Sequence, residues 1–313
     1  MKVIMEKVSI LLSIYKPNLT YLALQLNSLN NQDYENLEVI INDDCPESPC
    51  PIYIFEQYLT KVPYKILKQN KSNLNYIKSF EKLVKNSDGK YIAFCDQDDI
   101  WFSNKISKSV STLKKENALL VASDKQIIDE DGNVIIDSVR KKSNKPYDNW
   151  KTGDDIAKYN LIITYSVGMA LVLDGDFARS AIPFSNYTGH DKWLISCAAT
   201  EGKVAYIEEP LVQYRRHGRN VSGVLIGINT KEDYLKQRVL PDINAIYDFL
   251  RKYPFFKDKN DVLGFAEARK NHNLIKLFKY RYLAPDIAKF DICLCFVPNF
   301  AFKFLIYLAR KFS

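Results

Sequence analysis

Strand-like and helix-like segments alternate three times before residue 96, and this alternation restricts the chain more than any other feature of its sequence. Val8-Ser-Ile-Leu-Leu-Ser-Ile is a short β-rich run that ends at Lys16-Pro17. Leu22, Leu26 and Leu29 then recur at i, i+4 and i+7, the spacing of one helix face. Leu37-Glu-Val-Ile-Ile stops at Asn42-Asp43-Asp44, and Ile52, Phe55 and Leu59 give a second helical stripe. Tyr64-Lys-Ile-Leu reads as a third strand, Ile77, Phe80 and Val84 as a third helix, Asp88-Gly89 as its stop, and Tyr91-Ile-Ala-Phe-Cys as a fourth strand. Connections this short between such units specify an α/β class with a Rossmann-like, mostly parallel sheet flanked by helices. Ligands of such sheets sit at the carboxyl ends of the strands.

After Trp101 the pattern loosens. Ser103 is placed to cap a helix carrying Ile106, Val110 and Leu113, and Ala118 to Ala122 is a further strand. Asp129-Glu-Asp-Gly-Asn133 lacks the ligand spacing of a calcium loop, so Asp131-Gly132 is read as a hairpin turn between Ile127-Ile128 and Val134-Ile135-Ile136. Gly168 to Leu173 and Lys203 to Arg215 are predicted strands, separated by a helix with Trp193, Leu194 and Cys197. From residue 231 the pattern is mainly helical, and no internal repeat is visible.

The formal net charge of +7 is unevenly placed: residues 1–230 carry 28 basic and 28 acidic side chains, and residues 231–313 carry 16 and 9. Two regions follow, a charge-balanced domain at 1–230 and a basic helical extension at 231–313. Val8 to Tyr15 is too short for a signal peptide, and no uncharged stretch reaches the ~20 residues of a spanning helix. Six cysteines without CxxC or Cys/His spacing read as reduced cytoplasmic thiols, neither a disulfide scaffold nor a zinc site. Asn18-Leu-Thr, Asn186-Tyr-Thr and Asn220-Val-Ser match the glycosylation pattern by chance on this reading.

The densest chemistry is Asp96-Gln97-Asp98-Asp99, directly after the fourth strand. Three neighbouring carboxylates repel one another beside a buried strand unless a cation shares them. In extended backbone Asp96 and Asp98 point to the same side, an arrangement suited to Mg2+ or Mn2+ bound together with a diphosphate. Adjacent residues on one strand end cannot flank a sugar as a glycosidase's two carboxyls do. The first strand is followed by Ser13-Ile-Tyr-Lys-Pro and no GxGxxG, and a Walker A loop is absent, so a Rossmann dehydrogenase and a P-loop enzyme are both disfavoured.

With Val8-Ser-Ile-Leu-Leu-Ser-Ile-Tyr, Ile41-Asn-Asp-Asp, Phe94-Cys-Asp-Gln-Asp-Asp-Ile-Trp, Gly189-His-Asp-Lys-Trp-Leu and Glu209-Pro-Leu-Val-Gln-Tyr-Arg-Arg-His-Gly-Arg-Asn-Val-Ser in this order, residues 7–225 resemble a family 2 glycosyltransferase of the GT-A fold, nearest to bacterial rhamnosyltransferase-like members. The resemblance implies that Ser13 and Tyr15 lie at the nucleotide, with Tyr15 against the base, that Asp44 accepts a hydrogen bond from the base, and that Asp96 binds the ribose. It implies Asp98 as the metal ligand and Asp191 as the catalytic base that deprotonates the acceptor for inverting attack. Asn70 and Lys78 line the same pocket on this reading, although Ser79 stands where similar sequences often have Asn. Lys192 replaces an aromatic residue common in similar sequences. Arg215 and Arg216 are expected on the diphosphate, and His217 on the metal or the diphosphate.

The resemblance therefore implies a metal-dependent transferase that moves a sugar from dTDP-rhamnose or a UDP-sugar to a cell-surface polysaccharide precursor, with a lipid-linked acceptor. The alternative is a non-catalytic nucleotide-sugar or membrane-surface binding protein of the same fold. For residues 231–313, aromatic and aliphatic bulk beside Lys303, Arg310 and Lys311 suits a membrane interface, and packing on the catalytic domain or on a second copy is the other reading. Nucleic acid is not an expected partner, since no groove-reading motif is present. The expected location is cytoplasmic, peripheral on the inner face of the cell membrane.

Overall fold

In a computed structural model the described residues are 5–218 and 227–311, and the chain divides into two compact units. The first comprises residues 1–155, 165–184 and 190–217. The second is residues 156–164, 185–189 and 218–313, so it takes in two short segments that a boundary at 230 does not include.

The elements in chain order begin β1 (Val8–Ile14), α1 (Leu19–Asn30), β2 (Leu37–Asp43), α2 (Tyr53–Tyr58), β3 (Tyr64–Ile66), α3 (Asn75–Lys85) and β4 (Tyr91–Cys95). β1 pairs in parallel with β2 and β4, and β2 with β3, as the alternation requires. Six of the seven β1 residues are buried, which fits a strand covered on both faces. Leu22, Leu26 and Leu29 of α1 and Ile77, Phe80 and Val84 of α3 are buried as their spacing predicts. The second stripe needs one correction: Ile52 is exposed, because α2 begins after it and turns Ile54 and Phe55 inward instead.

Next come β5 (Ile100–Trp101), α4 (Lys105–Glu116), β6 (Leu120–Ile128), β7 (Val134–Ile136), α5 (Val139–Lys142), α6 (Ala157–Asn160), β8 (Leu171–Asp174), α7 (Gly175–Ser180), α8 (His190–Glu201) and β9 (Val204–Arg215). The sheet order is β3-β2-β1-β4-β8-β6-β9-β5, with β7 on β6. Its second half mixes directions: β8 is antiparallel to β4 and β6, β9 is parallel to β6, and β5 is antiparallel to β9. The predicted hairpin is present, Ile127 pairing with Ile136, and Gly132 supplies the positive φ of +90° that its turn needs. Two local expectations change. Asn104, not Ser103, precedes α4, and no side chain caps it. Gly168 to Ala170 form a 3-10 turn, so β8 starts at Leu171.

The second unit holds α6 and the helices α9 (Lys231–Tyr234), α10 (Leu240–Lys252), α11 (Lys259–Lys270), α12 (Leu274–Tyr280), α13 (Pro285–Phe296) and α14 (Asn299–Lys311). Its centre is polar as well as apolar. Arg269, 3% exposed, donates to Asp291 (2.9 Å), Asp242 (2.8 Å) and the Tyr234 hydroxyl (3.2 Å), which in turn donates to Asp291 at 2.7 Å. A buried guanidinium persists only with partners of this kind. Asn220-Val-Ser lies outside the described residues.

Candidate active site

All eleven residues singled out above lie in the first unit: most are at the carboxyl ends of β1, β2 and β4 or the end of β9, while Asn70 follows β3, Lys78 is on α3 and Asp191 starts α8. β4 is buried throughout, and the chain leaves the sheet at Asp96, where half-buried Asp96, Gln97 and Asp98 precede buried Asp99. β9 runs antiparallel to β5, with Ile100 opposite Gln213 and Trp101 opposite Val212. Carrying that register past the last pair sets the acidic loop beside Arg215 to His217. Asp99 Oδ1 accepts from the Arg215 backbone N–H at 3.0 Å, and His217 Nε2 lies 2.8 Å from Asp98 Oδ2.

Arg215 departs from its expected task. It is buried, its Nε donates to the Asp98 carbonyl (3.0 Å) and its Nη1 to the carbonyls of Asp129 and Glu130 (3.1 Å each). Its guanidinium also covers the Tyr21 ring at 4.4 Å. The fork predicted for phosphate oxygens therefore braces the acidic loop against the β6–β7 turn. Arg216 is exposed and keeps its side chain on the surface.

Asp191 stands half-buried in the first turn of α8, its Oδ1 accepting the Lys192 N–H at 2.7 Å. Its negative charge reaches the acidic loop. Burial first, then the charges of Asp98 and Asp191, push the Asp96 carboxyl up to about 7. Asp99 is raised well above the usual carboxylate range by burial and by Asp98 and Asp96. Beside Asp191, His190 is buried with its ring 4.1 Å from Phe80 and 4.8 Å from Phe94. Neither ring nitrogen has a hydrogen-bond partner among the described residues, and burial lowers its pKa to about 4. Gly168 makes room for it, since a Cβ there would come within 2.5 Å of His190 Nε2.

At the end of β1, half-exposed Tyr15 is clasped through its backbone: its N–H donates to Gln97 Oε1 (2.8 Å) and its carbonyl accepts from Gln97 Nε2 (3.2 Å). Ser13 and Ser79 share a hydroxyl contact of 2.6 Å, and Asn42 donates to Ser79 at 2.7 Å. Ser79 thus takes part in the polar floor. Asp44 is buried, Oδ1 accepting from Asn70 (2.8 Å) and both oxygens from the Leu74 N–H (2.9 Å each). Burial raises its pKa and these donors oppose the rise. Lys78 turns to Glu81 (2.8 Å), whereas Lys82, one helical turn on, donates to Asn70 Oδ1 (2.6 Å) and Asn42 Oδ1 (2.9 Å). The cation beside Asp44 is Lys82, and Lys78 belongs to an ion-pair cluster with Glu81 and Lys85.

Among the described residues no group of three His, Cys, Asp or Glu side chains is gathered for a metal. Asp98 Oδ2 and His217 Nε2 are hydrogen-bonded to each other at 2.8 Å, and they are one oxygen and one nitrogen that could hold a divalent cation by exchanging that bond for the ion. Gln97 and Asp99, which the acidic run included without a role of their own, and Lys82, which the sequence reading passed over, also contribute. For Lys82 the signal is its i+4 relation to Lys78 on the same helix. For Gln97 no local pattern foretold a bond to Tyr15, because its partner lies 82 residues away.

Comparison with known proteins gives the family and the fold. The profile of Glycosyl transferase family 2 matches residues 9–174. An uncharacterized glycosyltransferase of Rickettsia bellii is 31% identical over 219 residues, 69% of this chain and 30% of that protein, so the match spans less than a third of the relative's length. A dTDP-rhamnosyl transferase of Shigella flexneri is 26% identical over 217 residues, covering 66% of this chain and 72% of the relative. Among solved structures, residues 1–349 of Staphylococcus aureus TarS in complex with UDP-GlcNAc superpose with a TM-score of 0.57 at 16% identity, covering 90% of this chain and 82% of that one, a likeness of fold. The fold is GT-A. With more than half of its length matched by the profile, the chain belongs to glycosyltransferase family 2.

Proposed function

We propose that this glycosyltransferase takes its sugar from a nucleoside diphosphate, dTDP-rhamnose or a UDP-sugar, and transfers it with inversion to a polysaccharide precursor carried on a lipid. The observation that supports this most is the convergence of Asp98 and His217 at the end of β4, with the Asp191 carboxylate close enough to act on Asp96. The donor base lies against Tyr15, near Asp44 and its Lys82-Asn70 support, and Asp96 accepts from the ribose hydroxyls. Asp98 and His217 would hold a Mn2+ or Mg2+ ion, which would supply positive charge against the diphosphate as it leaves. Arg216, exposed at the end of β9, reaches the same diphosphate, while Arg215 fixes the loop that presents Asp98. Asp191 accepts the proton of the acceptor hydroxyl as that oxygen attacks the anomeric carbon from the face opposite the leaving group.

Sequence relatives that bear on this reading include the rhamnosyl transferase above and a UDP-glucose-dependent glucosyltransferase of Escherichia coli acting on a diphosphoundecaprenol-linked sugar, 27% identical over 121 residues. A lipid-linked acceptor places the enzyme peripherally at a membrane. Incubation of the protein with nucleotide sugars, Mn2+ and lipid-linked acceptors, followed by NMR of the product's anomeric centre, tests the reading. An inverted product supports it. A retained configuration, or no donor binding with any nucleotide sugar, refutes it.

A further inference from the structure

α14 carries bulky apolar side chains on two opposite faces. Phe302 and Ile306 are turned inward and fully or almost fully buried. Phe300, Lys303, Phe304 and Tyr307, at i, i+3, i+4 and i+7, form one stripe on the other side. Phe300 is 88% exposed, Phe304 64% and Tyr307 58%. Phe296, at the end of α13, adds another ring at 73%. A surface helix normally turns its polar residues outward, so an outward row of three aromatics needs a covering phase.

Charge selects the cover. From Ile292 onward the sequence has three basic residues, Lys303, Arg310 and Lys311, and no Asp or Glu. A second copy seated on the stripe would face it with the same stripe across a two-fold axis, Lys303 approaching Lys303 with no carboxylate in this segment to neutralise either. An anionic lipid surface supplies both missing parts: headgroup phosphates for the basic side chains and an acyl boundary for the rings. No described helix is long and apolar enough to cross a membrane, so the arrangement is one of lying on the surface.

We infer that the Phe300, Lys303, Phe304, Tyr307 face of α14, with Phe296, docks on an anionic phospholipid bilayer. The inference rests on the membrane-surface part of the proposed function and not on its chemistry. Co-sedimentation with phosphatidylcholine vesicles, with and without about one third phosphatidylglycerol, tests it on the full chain. Binding is expected with the mixed vesicles and about tenfold weaker with phosphatidylcholine alone or in high salt. Phe300→Ser/Phe304→Ser/Tyr307→Ser should weaken it about tenfold or more, with an unchanged thermal melt because these side chains are exposed. Lys303→Glu should weaken binding only to the anionic vesicles. Vesicle binding that is absent, or unaffected by these substitutions, overturns the inference. So does a concentration-dependent dimer that the triple variant abolishes. Transfer to a soluble acceptor reports on the chemistry separately and is expected to survive the triple variant.

Discussion

His217 Nε2 and Asp98 Oδ2 lie 2.8 Å apart although 119 residues of chain separate them, and the antiparallel pairing of β5 with β9 is what brings them together. The pair makes the metal dependence of the reaction an explicit expectation. His217→Ala should leave the fold intact, raise the Mn2+ concentration needed for half-maximal rate, and lower kcat/KM by about ten- to a hundredfold. Initial rates titrated with MnCl2 measure both effects, and an unchanged metal requirement would separate His217 from the metal.

Gln97 holds Tyr15 by two backbone hydrogen bonds across the top of β1 and β4. Removing them in Gln97→Ala is expected to loosen the ring proposed to meet the base and cost roughly 1–2 kcal/mol of donor binding, about five- to thirtyfold. KM for the donor should rise while kcat at saturation falls little, since Gln97 positions a binding residue. A fall confined to kcat would contradict this role.

His190 gives a pH signature. Burial, partly opposed by the charge of Asp191, holds its imidazole at about 4 against an ordinary 6.5. Between these values the unfolded chain binds a proton that the folded chain does not, so stability falls as pH drops from 6.5 toward 4 and is fully present above 6.5. The contribution is at most about 3 kcal/mol. His190→Phe keeps the contact with Phe80 and Phe94 and loses no hydrogen bond. Urea melts from pH 7 to 4 should show a shallower acid loss for the variant than for the parent. Parallel curves would show that His190 titrates normally in the fold.

In the second unit, Arg269 holds buried Asp291 and Tyr234 and half-buried Asp242 together. Arg269→Met leaves the buried Asp291 carboxylate without its cation and should destabilise that unit by about 3–5 kcal/mol. Arg269→Met/Asp291→Asn should recover part of the loss, because the strongest uncompensated charge is then gone. Denaturant melts of the two variants decide, and equal stability of the Arg269→Met variant and the parent would contradict the account.

The strands and helices up to β4 were legible because their periodicity and the parallel architecture agree, residue by residue, at Leu22, Leu26 and Leu29 and at Ile77, Phe80 and Val84. Asp96, Asp98 and Asp191 stood out together in the sequence by their types and their places at element ends, and the structure brings their charges close enough to act on one another. Arg215 was misjudged: sequence gives its charge, but only the register of β9 against β5 aims the guanidinium at the carbonyls of Asp98, Asp129 and Glu130. Lys78 is i,i+3 from Glu81, so helix spacing alone could have assigned it to that ion pair, whereas the reach of Lys82 to Asn70 and Asn42 is set by how α3 packs and was not legible. The Arg269 network was invisible for a similar reason, since its four members come from α9, α10, α11 and α13.

The central claim is that Asp191 serves as the base for transfer from a nucleotide sugar. Asp191→Asn keeps the size and the hydrogen bond to the Lys192 N–H but cannot take a proton at neutral pH. Donor affinity by calorimetry should change by less than about threefold, while kcat falls about 10²- to 10⁴-fold. A variant that transfers sugar at the parent rate would contradict the mechanism.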